Sequence, residues 1–262
     1  MLTVGIDEVG YGPSLGPLVL AAAAARAPLR ATVAVADSKK IFSQARGVAT
    51  LEPAVLGYLP AATFRDLLRR LSAELPAAPW YAKDVDLPAM PPLAGLDGAW
   101  ATAVDPAEFN ARTRERNKAD LLFELAAGLI NRIRKERPEP IRFVVGKQGG
   151  RRFYAKGLRA LVAPEVEIRE ESRGRSAYAL PGATVEFLRD AEDRHELVAL
   201  ASMVGKYLRE RAMGLFNAWW ASQVDRLRPT AGYGTDGKRF WGEIAGAVDR
   251  LGLPRESVLR LR

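Results

Sequence analysis

The sequence predicts an α/β protein, a mixed β-sheet flanked by helices and followed by a helical C-terminal part. Three observations predict it. Apolar runs of strand length, at 4–6, 18–25 and 141–145, are bounded by turn-forming residues. Longer stretches at 117–134, 197–219 and 239–251 repeat apolar residues with the helical period that buries one face. Carboxylates stand directly after the first strand, at Asp7 and Glu8, and at the start of a long helix, across Asp190 to Glu196. That order gathers acids at one end of a sheet.

Taken in order, Val4 and Ile6 form a short buried strand that runs at once into Asp7, Glu8 and the turn Gly10-Tyr11-Gly12-Pro13. A carboxylate on the last residues of a strand has little freedom and can fix a metal ion. The glycines leave backbone N–H groups open to a phosphate or sugar. Many ordinary strands also end this way in a solvated turn, so the rest of the chain decides the meaning. Leu18 to Ala25 reads as a strand covered on both faces and paired with the first. Thr32 to Ala36 reads as a third strand, ending in Asp37-Ser38-Lys39-Lys40, a cationic turn that can meet a nucleic-acid backbone or simply open a helix.

From 51 to about 115 the pattern loosens. Phe64 to Leu71 is a short helix, and Pro76, Pro79, Pro88, Pro91 and Pro92 crowd a stretch containing Trp80, Tyr81 and Trp100. This is expected to be an elaboration with its own small apolar cluster. Asn117 to Arg134 is a clear amphipathic helix, halted by Pro138 and Pro140. The strand Ile141 to Val145 leads into Gly146-Lys147-Gln148-Gly149-Gly150-Arg151-Arg152, a glycine-rich cationic loop without the spacing of a P-loop, and then a helix near 156–162. Strands at Val166 to Arg169 and Thr184 to Leu188 flank the basic turn Arg173-Gly174-Arg175. The long helix that follows the acids carries Leu197, Leu200, Ala201, Val204, Leu208, Leu215 and Trp219 inward, with Lys206, Arg209 and Arg211 at polar positions. Gly232-Tyr233-Gly234 precedes the closing helix. The division expected is an α/β domain over 1–193 and a helical part over 194–262 packed on it.

Composition narrows the chemistry. The 262 residues contain no cysteine, which excludes disulfides and thiolate metal sites and fits a reducing, cytoplasmic compartment. Acidic residues by position 7 precede any signal region, and the apolar run from Leu15 to Ala25 is too short to span a membrane. A net charge of +8 favours a polyanionic partner. His195 is the single histidine, so hydrolytic chemistry here falls to carboxylates and a hard cation. His195 itself reads as a capping or surface residue, with assistance to product release as the functional alternative.

Four motifs stand in a telling order: Gly5-Ile6-Asp7-Glu8-x-Gly10-x-Gly12-Pro13 with Gly16-Pro17, Asp37-Ser38-Lys39-Lys40, Ala199-Leu200-Ala201-Ser202 with Lys206 and Arg209, and Gly232-Tyr233-Gly234-Thr235. In this the chain resembles the ribonuclease HII family. The resemblance implies a ribonuclease H-like fold and a Mg²⁺- or Mn²⁺-dependent endonuclease, working as a monomer on the RNA strand of RNA/DNA hybrids or on ribonucleotides embedded in DNA. It implies Asp7, Glu8 and Glu192 as catalytic acids and metal ligands, with Asp190 or Asp193 as substitutes for Glu192. It implies Gly10, Tyr11, Gly12, Ser38, Lys39, Lys40, Lys206 and Tyr233 as substrate contacts. Three departures accompany it. Tyr11 stands where the family has a basic residue, and Glu192 where it has Asp. Gly146 stands where it has its third acid, for which Glu170, Glu171 or Asp190 would have to substitute. A protein that binds hybrids or junctions without cutting them is the alternative these departures raise.

Overall fold

The computed structural model describes residues 1–29, 33, 35, 38–42 and 46–261, with Lys39 and Lys40 described by their backbone alone. The strands are β1 (Leu2–Val9), β2 (Leu18–Ala25), β3 (Gly98–Val104), β4 (Ile141–Gly146), β5 (Glu167–Glu171), β6 (Arg175–Leu180) and β7 (Ala183–Leu188). The helices are α1 (Ser38–Ile41), α2 (Glu52–Tyr58), α3 (Phe64–Arg70), α4 (Pro106–Thr113), α5 (Lys118–Glu136), α6 (Ala155–Leu161), α7 (Glu196–Ala221), α8 (Gly234–Arg250) and α9 (Arg255–Val258). The strands form one mixed sheet in the order β3-β2-β1-β4-β7-β6-β5. Only β1, β4 and β7 run parallel to their neighbours in that set, at the centre of the sheet. Their C-terminal ends therefore lie along one edge, and Asp7, Gly146 and the segment after Leu188 meet there although they are far apart in the chain.

One face of the sheet is covered by α5 and α6. Leu2, Val4 and Ile6 of β1 pack there with Phe143, Val145, Val185 and Phe187, beneath Leu121, Leu122, Leu125, Leu129 and Ile133 of α5. On the other face α7 lies directly on the strands. A Cβ added to Gly5 would stand 2.3 Å from the Leu197 carbonyl carbon and the Val198 nitrogen, so helix backbone touches strand backbone at this point. The alanines of β2 extend the same low surface, with Ala21, Ala23 and Ala25 on the α7 side and Ala22 and Ala24 on the α5 side. That explains a strand made of small residues: both of its faces are buried, and one must admit a helix at close range.

The structure differs from the sequence reading at several points. Gly98–Val104, inside the stretch expected to be an elaboration, is a strand of the central sheet paired with β2. The apolar residues of that stretch form no separate cluster. Trp80 packs at 5.5 Å and 6.1 Å, between ring centres, against Phe216 and Trp220 of α7 and shares its core. Trp220, not Trp219, is the deeply buried tryptophan of α7. Arg175–Leu180 is a strand where only a turn was expected at its start. Arg209, expected among solvated positions, has no solvent exposure. The strand expected at Thr32–Ala36 falls where Thr32, Ala34 and Ala36 lie outside the described residues, as does Asp37 of the turn after it. No described helix is long and apolar enough to cross a membrane.

The close approach at Gly5 yields a test. Gly5→Ala forces α7 off β1 and is expected to cost about 3 kcal/mol, read as a lower urea midpoint with unchanged slope.

Candidate active site

The edge formed by the ends of β1, β4 and β7 opens into a cleft of about 1060 Å³. Asp7, Glu8, Gly10 and Tyr11 line it from the end of β1, and Ser38, Ser202 and Lys206 from α1 and α7. Asp190 and Glu192 enter from the segment after β7, and Tyr233 from the N-cap of α8. Lys147, Arg151, Arg152, Arg173 and Arg189 form the remaining wall. The acids of the opening strand and of the segment before α7 thus share one space.

The opening turn is held from beneath by two buried arginines. Arg260, near the C-terminus, donates from Nη1 to the carbonyls of Gly10 (2.6 Å) and Pro13 (3.3 Å) and from Nη2 to Gly16 (2.8 Å). Its backbone N–H donates to the Ser14 carbonyl at 2.8 Å. Arg209 of α7 donates from Nη2 to the carbonyls of Leu15 (3.1 Å) and Ala231 (3.0 Å), and its guanidinium lies 5.0 Å from the Tyr233 ring centre. Ser14 N–H donates to the Gly232 carbonyl at 3.0 Å, tying the turn to the loop that carries Tyr233. Gly10 has φ of +86°, and a Cβ there would strike the Arg209 side chain at 2.6 Å, so glycine is required on both counts. Burial, reinforced by the neighbouring Arg209 charge, pulls the Arg260 guanidinium down to about 9. Two guanidiniums are kept at this depth because five inward carbonyls accept from them.

The remaining residues singled out in the sequence divide as follows. Ser38 and Ser202 share a buried hydrogen bond of 3.0 Å, and Lys206 reaches Glu210 at 2.8 Å while its ammonium sits 4.2 Å from the Phe42 ring centre. Tyr11 is half-buried with Lys118 Nζ 4.8 Å from its ring centre, so a cation from α5 stands beside it. Burial, and then the Glu8 charge, pushes the Tyr11 phenol upward. Tyr233 is 42% exposed and presents its ring to the cleft. Gly12 is exposed but does not line the cleft, and neither does Asp193; Glu192, half-buried, and Asp190 do. The side chains of Lys39 and Lys40 lie outside the described residues. Sequence reasoning missed Arg260, Lys118, Arg151, Arg152, Arg173 and Arg189 as residues of the site or its support. The glycine-rich basic loop carried a signal for Arg151 and Arg152 and the basic turn for Arg173, while nothing marked Arg260, Lys118 or Arg189.

Asp7 and Glu8 place two hard oxygen donors side by side in the cleft. A Cβ on Gly146 would lie 3.0 Å from Asp7 Oδ1 and 3.8 Å from Glu8 Oε2, so the two carboxylates face one spot and Gly146 borders it. Among the described residues no three acid or imidazole groups come together as a metal cluster. Of the three acids expected to stand in for a third carboxylate, Asp190 lines the cleft, while Glu170 and Glu171 are engaged elsewhere. Glu170 pairs with Arg175 at 2.6 Å and Glu171 accepts from Tyr178 Oη at 2.6 Å, and neither lines the cleft. His195 also lies off the cleft, at the N-cap of α7, and burial followed by the Arg142 charge lowers its pKa from 6.5.

The sheet order and the cleft define a protein of the ribonuclease H-like fold. The family model of ribonuclease HII matches residues 4–59, the segment that carries Asp7, Glu8 and the opening turn. Among solved structures it is similar to ribonuclease HII of Archaeoglobus fulgidus in its complex with PCNA, with 20% identity and a TM-score of 0.58 over 100% of this chain and 95% of that one. Ribonuclease H2 of Pyrococcus horikoshii follows at 20% identity and 0.52 over 98% and 92%. Bst-RNase HIII in complex with Mn²⁺ matches at 20% identity and 0.52 over 100% of this chain and 66% of that one. At such identity these likenesses establish the fold. No match was found among curated proteins.

Two outcomes follow from the geometry. Arg260→Met strips the Gly10, Pro13 and Gly16 carbonyls of their donor, and hydrogen exchange of amides 11–16 is expected to rise at least tenfold while that of β1 stays unchanged. His195, with its folded pKa below 6.5, is neutral in the fold and takes up a proton more readily when unfolded. Stability is therefore full above pH 6.5 and falls as pH drops below it, and His195→Gln should flatten that part of the urea-midpoint profile.

Proposed function

We propose that this chain recognises ribonucleotides, in RNA/DNA hybrids or embedded in DNA, and cleaves the phosphodiester there as a metal-dependent endonuclease. The observation that carries the reading is the meeting of Asp7, Glu8 and Glu192 with the Gly10 turn, Lys206 and Tyr233 in one cleft. The turn's carbonyls are drawn inward by Arg260 and Arg209, which turns its free edge toward a ribose 2′-OH. The Tyr233 ring offers a stacking face to the adjoining sugar. Lys206 and Lys118 supply positive charge toward the phosphates. Glu192 offers a half-buried carboxylate as a proton acceptor. Asp7 and Glu8 would hold Mg²⁺ or Mn²⁺, which supplies Lewis-acid polarisation and an acidified water when bound. The Mn²⁺ in the solved RNase HIII relative makes that ion the natural probe.

A second reading is favoured by one specific observation. With Gly146 in place of a carboxylate, the site is short of a ligand, and such a loss typically lowers metal affinity and rate by orders of magnitude. A hybrid- or junction-binding protein that has kept the cleft and lost the cutting fits this feature.

The deciding experiment uses a DNA duplex carrying one ribonucleotide, with Mg²⁺ or Mn²⁺. Slow cleavage by the wild type, accelerated at least tenfold in Gly146→Asp and abolished in Asp7→Asn, is the expected outcome. Absence of product from every variant, with tight metal-independent binding retained, installs the binding reading instead. Thermal melts give an independent check. Gly146→Asp brings a third negative charge against Asp7 and Glu8, so without metal it should melt below the wild type, and Mn²⁺ should raise its midpoint more than that of the wild type.

A further inference from the structure

We propose that the loop from Lys147 to Arg152, together with Arg173 and Arg189, is a subsite for a backbone phosphate of a nucleic-acid strand, on the β5 side of the acid pair. The subsite rests on the reading of the cleft as a nucleic-acid site and adds the direction in which the strand leaves it. It is distinct from the turn at Gly10 and from Tyr233, which lie on the α8 side.

The loop is built, not merely solvated. Lys147 N–H donates to the Leu188 carbonyl at 2.8 Å, and its ammonium donates to the carbonyls of Ser172 (2.6 Å) and Arg173 (3.2 Å), latching the loop to the β5–β6 turn. Gln148 N–H donates to Tyr154 Oη at 3.2 Å, and Tyr154, with no solvent exposure, donates its own N–H to Tyr178 Oη at 3.0 Å. On this footing the tip is bare. Gly149 has φ of +59°, and a Cβ on Gly149 or Gly150 would meet nothing within 4 Å. Neither of their N–H groups has an acceptor among the described residues. A cationic loop needed only for solubility would require neither a buried tyrosine beneath it nor two consecutive glycines at its tip. Fixed, open amides beside cations are what an anion needs.

The cations beside the tip are available. Arg173 is exposed and makes no ion pair among the described residues, and Arg189 has only an exposed contact of 3.6 Å with Asp190, of the kind that contributes little. Arg152 bonds to the Glu171 carbonyl at 3.3 Å and has no carboxylate partner among the described residues. Arg151 is different: it pairs with Asp120 at 2.6 Å and lies over Phe123, so it supports the loop. Asp7 and Glu8 repel a phosphate at the β1 end of the cleft, while Asp190 and Glu192 enter from the segment after β7, beside Arg189. Gly146, at the root of the loop, adds no charge to them, which leaves this wall cationic.

The test is binding of the full chain, in EDTA, to a DNA duplex with one ribonucleotide and to the all-DNA duplex of the same sequence, by fluorescence anisotropy across a range of salt. Arg173→Ala combined with Arg189→Ala, both exposed, should melt as the wild type does. The slope of log K against log salt should fall by about 1 on both duplexes, the change expected for one lost phosphate contact, while the preference for the ribonucleotide persists. An unchanged slope overturns the subsite. So does competition by inorganic phosphate at constant ionic strength, which would assign the loop to a free anion. A wild type with no preference between the duplexes sinks the ribonucleotide reading and leaves the slope to judge the subsite by itself.

Discussion

The contact on which the rest of the structure depends is the backbone approach of α7 to β1 at Gly5. A helix normally keeps about 10 Å from a sheet because side chains fill the gap. Here one strand offers a glycine and its neighbour a run of alanines, and the first turn of α7 settles onto them. The consequence is positional. Ser202, Lys206 and Arg209 follow along the face of α7 that looks toward the end of β1. A Cβ on Gly205 would stand 3.1 Å from the Val9 side chain, at the point where the strand gives way to the turn. The same approach fixes the segment just before α7, and with it Glu192. A side chain at position 5 would displace both groups at once.

The second constraint is electrostatic and grows from the first. Arg209 is carried under the opening turn by α7, and Arg260 arrives from the C-terminal end, where Asn110 holds Leu259 and Leu261 through hydrogen bonds of 2.8 Å each. Burying a charge, and then setting a like charge beside it, opposes folding, and the lowered pKa of Arg260 expresses both. Its retention makes sense as a way of fixing the direction of a glycine-rich turn that has no side chains to fix it. A turn of glycine and proline has few contacts to hold it and would otherwise sample several conformations. The guanidiniums give each carbonyl one place to point.

Much of this was legible in the sequence, and the illegible parts have physical reasons. Asp7 and Glu8 could be placed because a β-branched and aliphatic run ends directly at them, and the convergence with Glu192 followed from reading strands and an acid-led helix in order. The strand at Gly98–Val104 was hidden because its alternate positions are alanines, which register weakly as a buried face, and because five prolines stand just upstream. The start of the strand at Arg175 was hidden because its first residues, arginine and serine, belong equally to a turn. Arg209 and Arg260 resemble solvated positions on a helix and at a chain end. Nothing local marks them as buried, since Arg260 bonds to carbonyls as many as 250 residues away. Buried arginines whose hydrogen bonds go to loop carbonyls leave no charge pattern to read.

Gly146 is where the local chemistry and the fold pull in opposite directions. Asp7 Oδ1 and Glu8 Oε2 stand 3.0 and 3.8 Å from where its Cβ would be. A carboxylate there would add repulsion on the order of 4 kcal/mol per neighbour at 4 Å in an environment of effective dielectric near 20, unless a cation neutralised it. A three-acid site is therefore strained whenever it is empty, and that strain is part of what makes such a site bind metal tightly. Glycine removes the strain and the affinity together. It also leaves without charge the root of a loop that carries Lys147, Arg151 and Arg152.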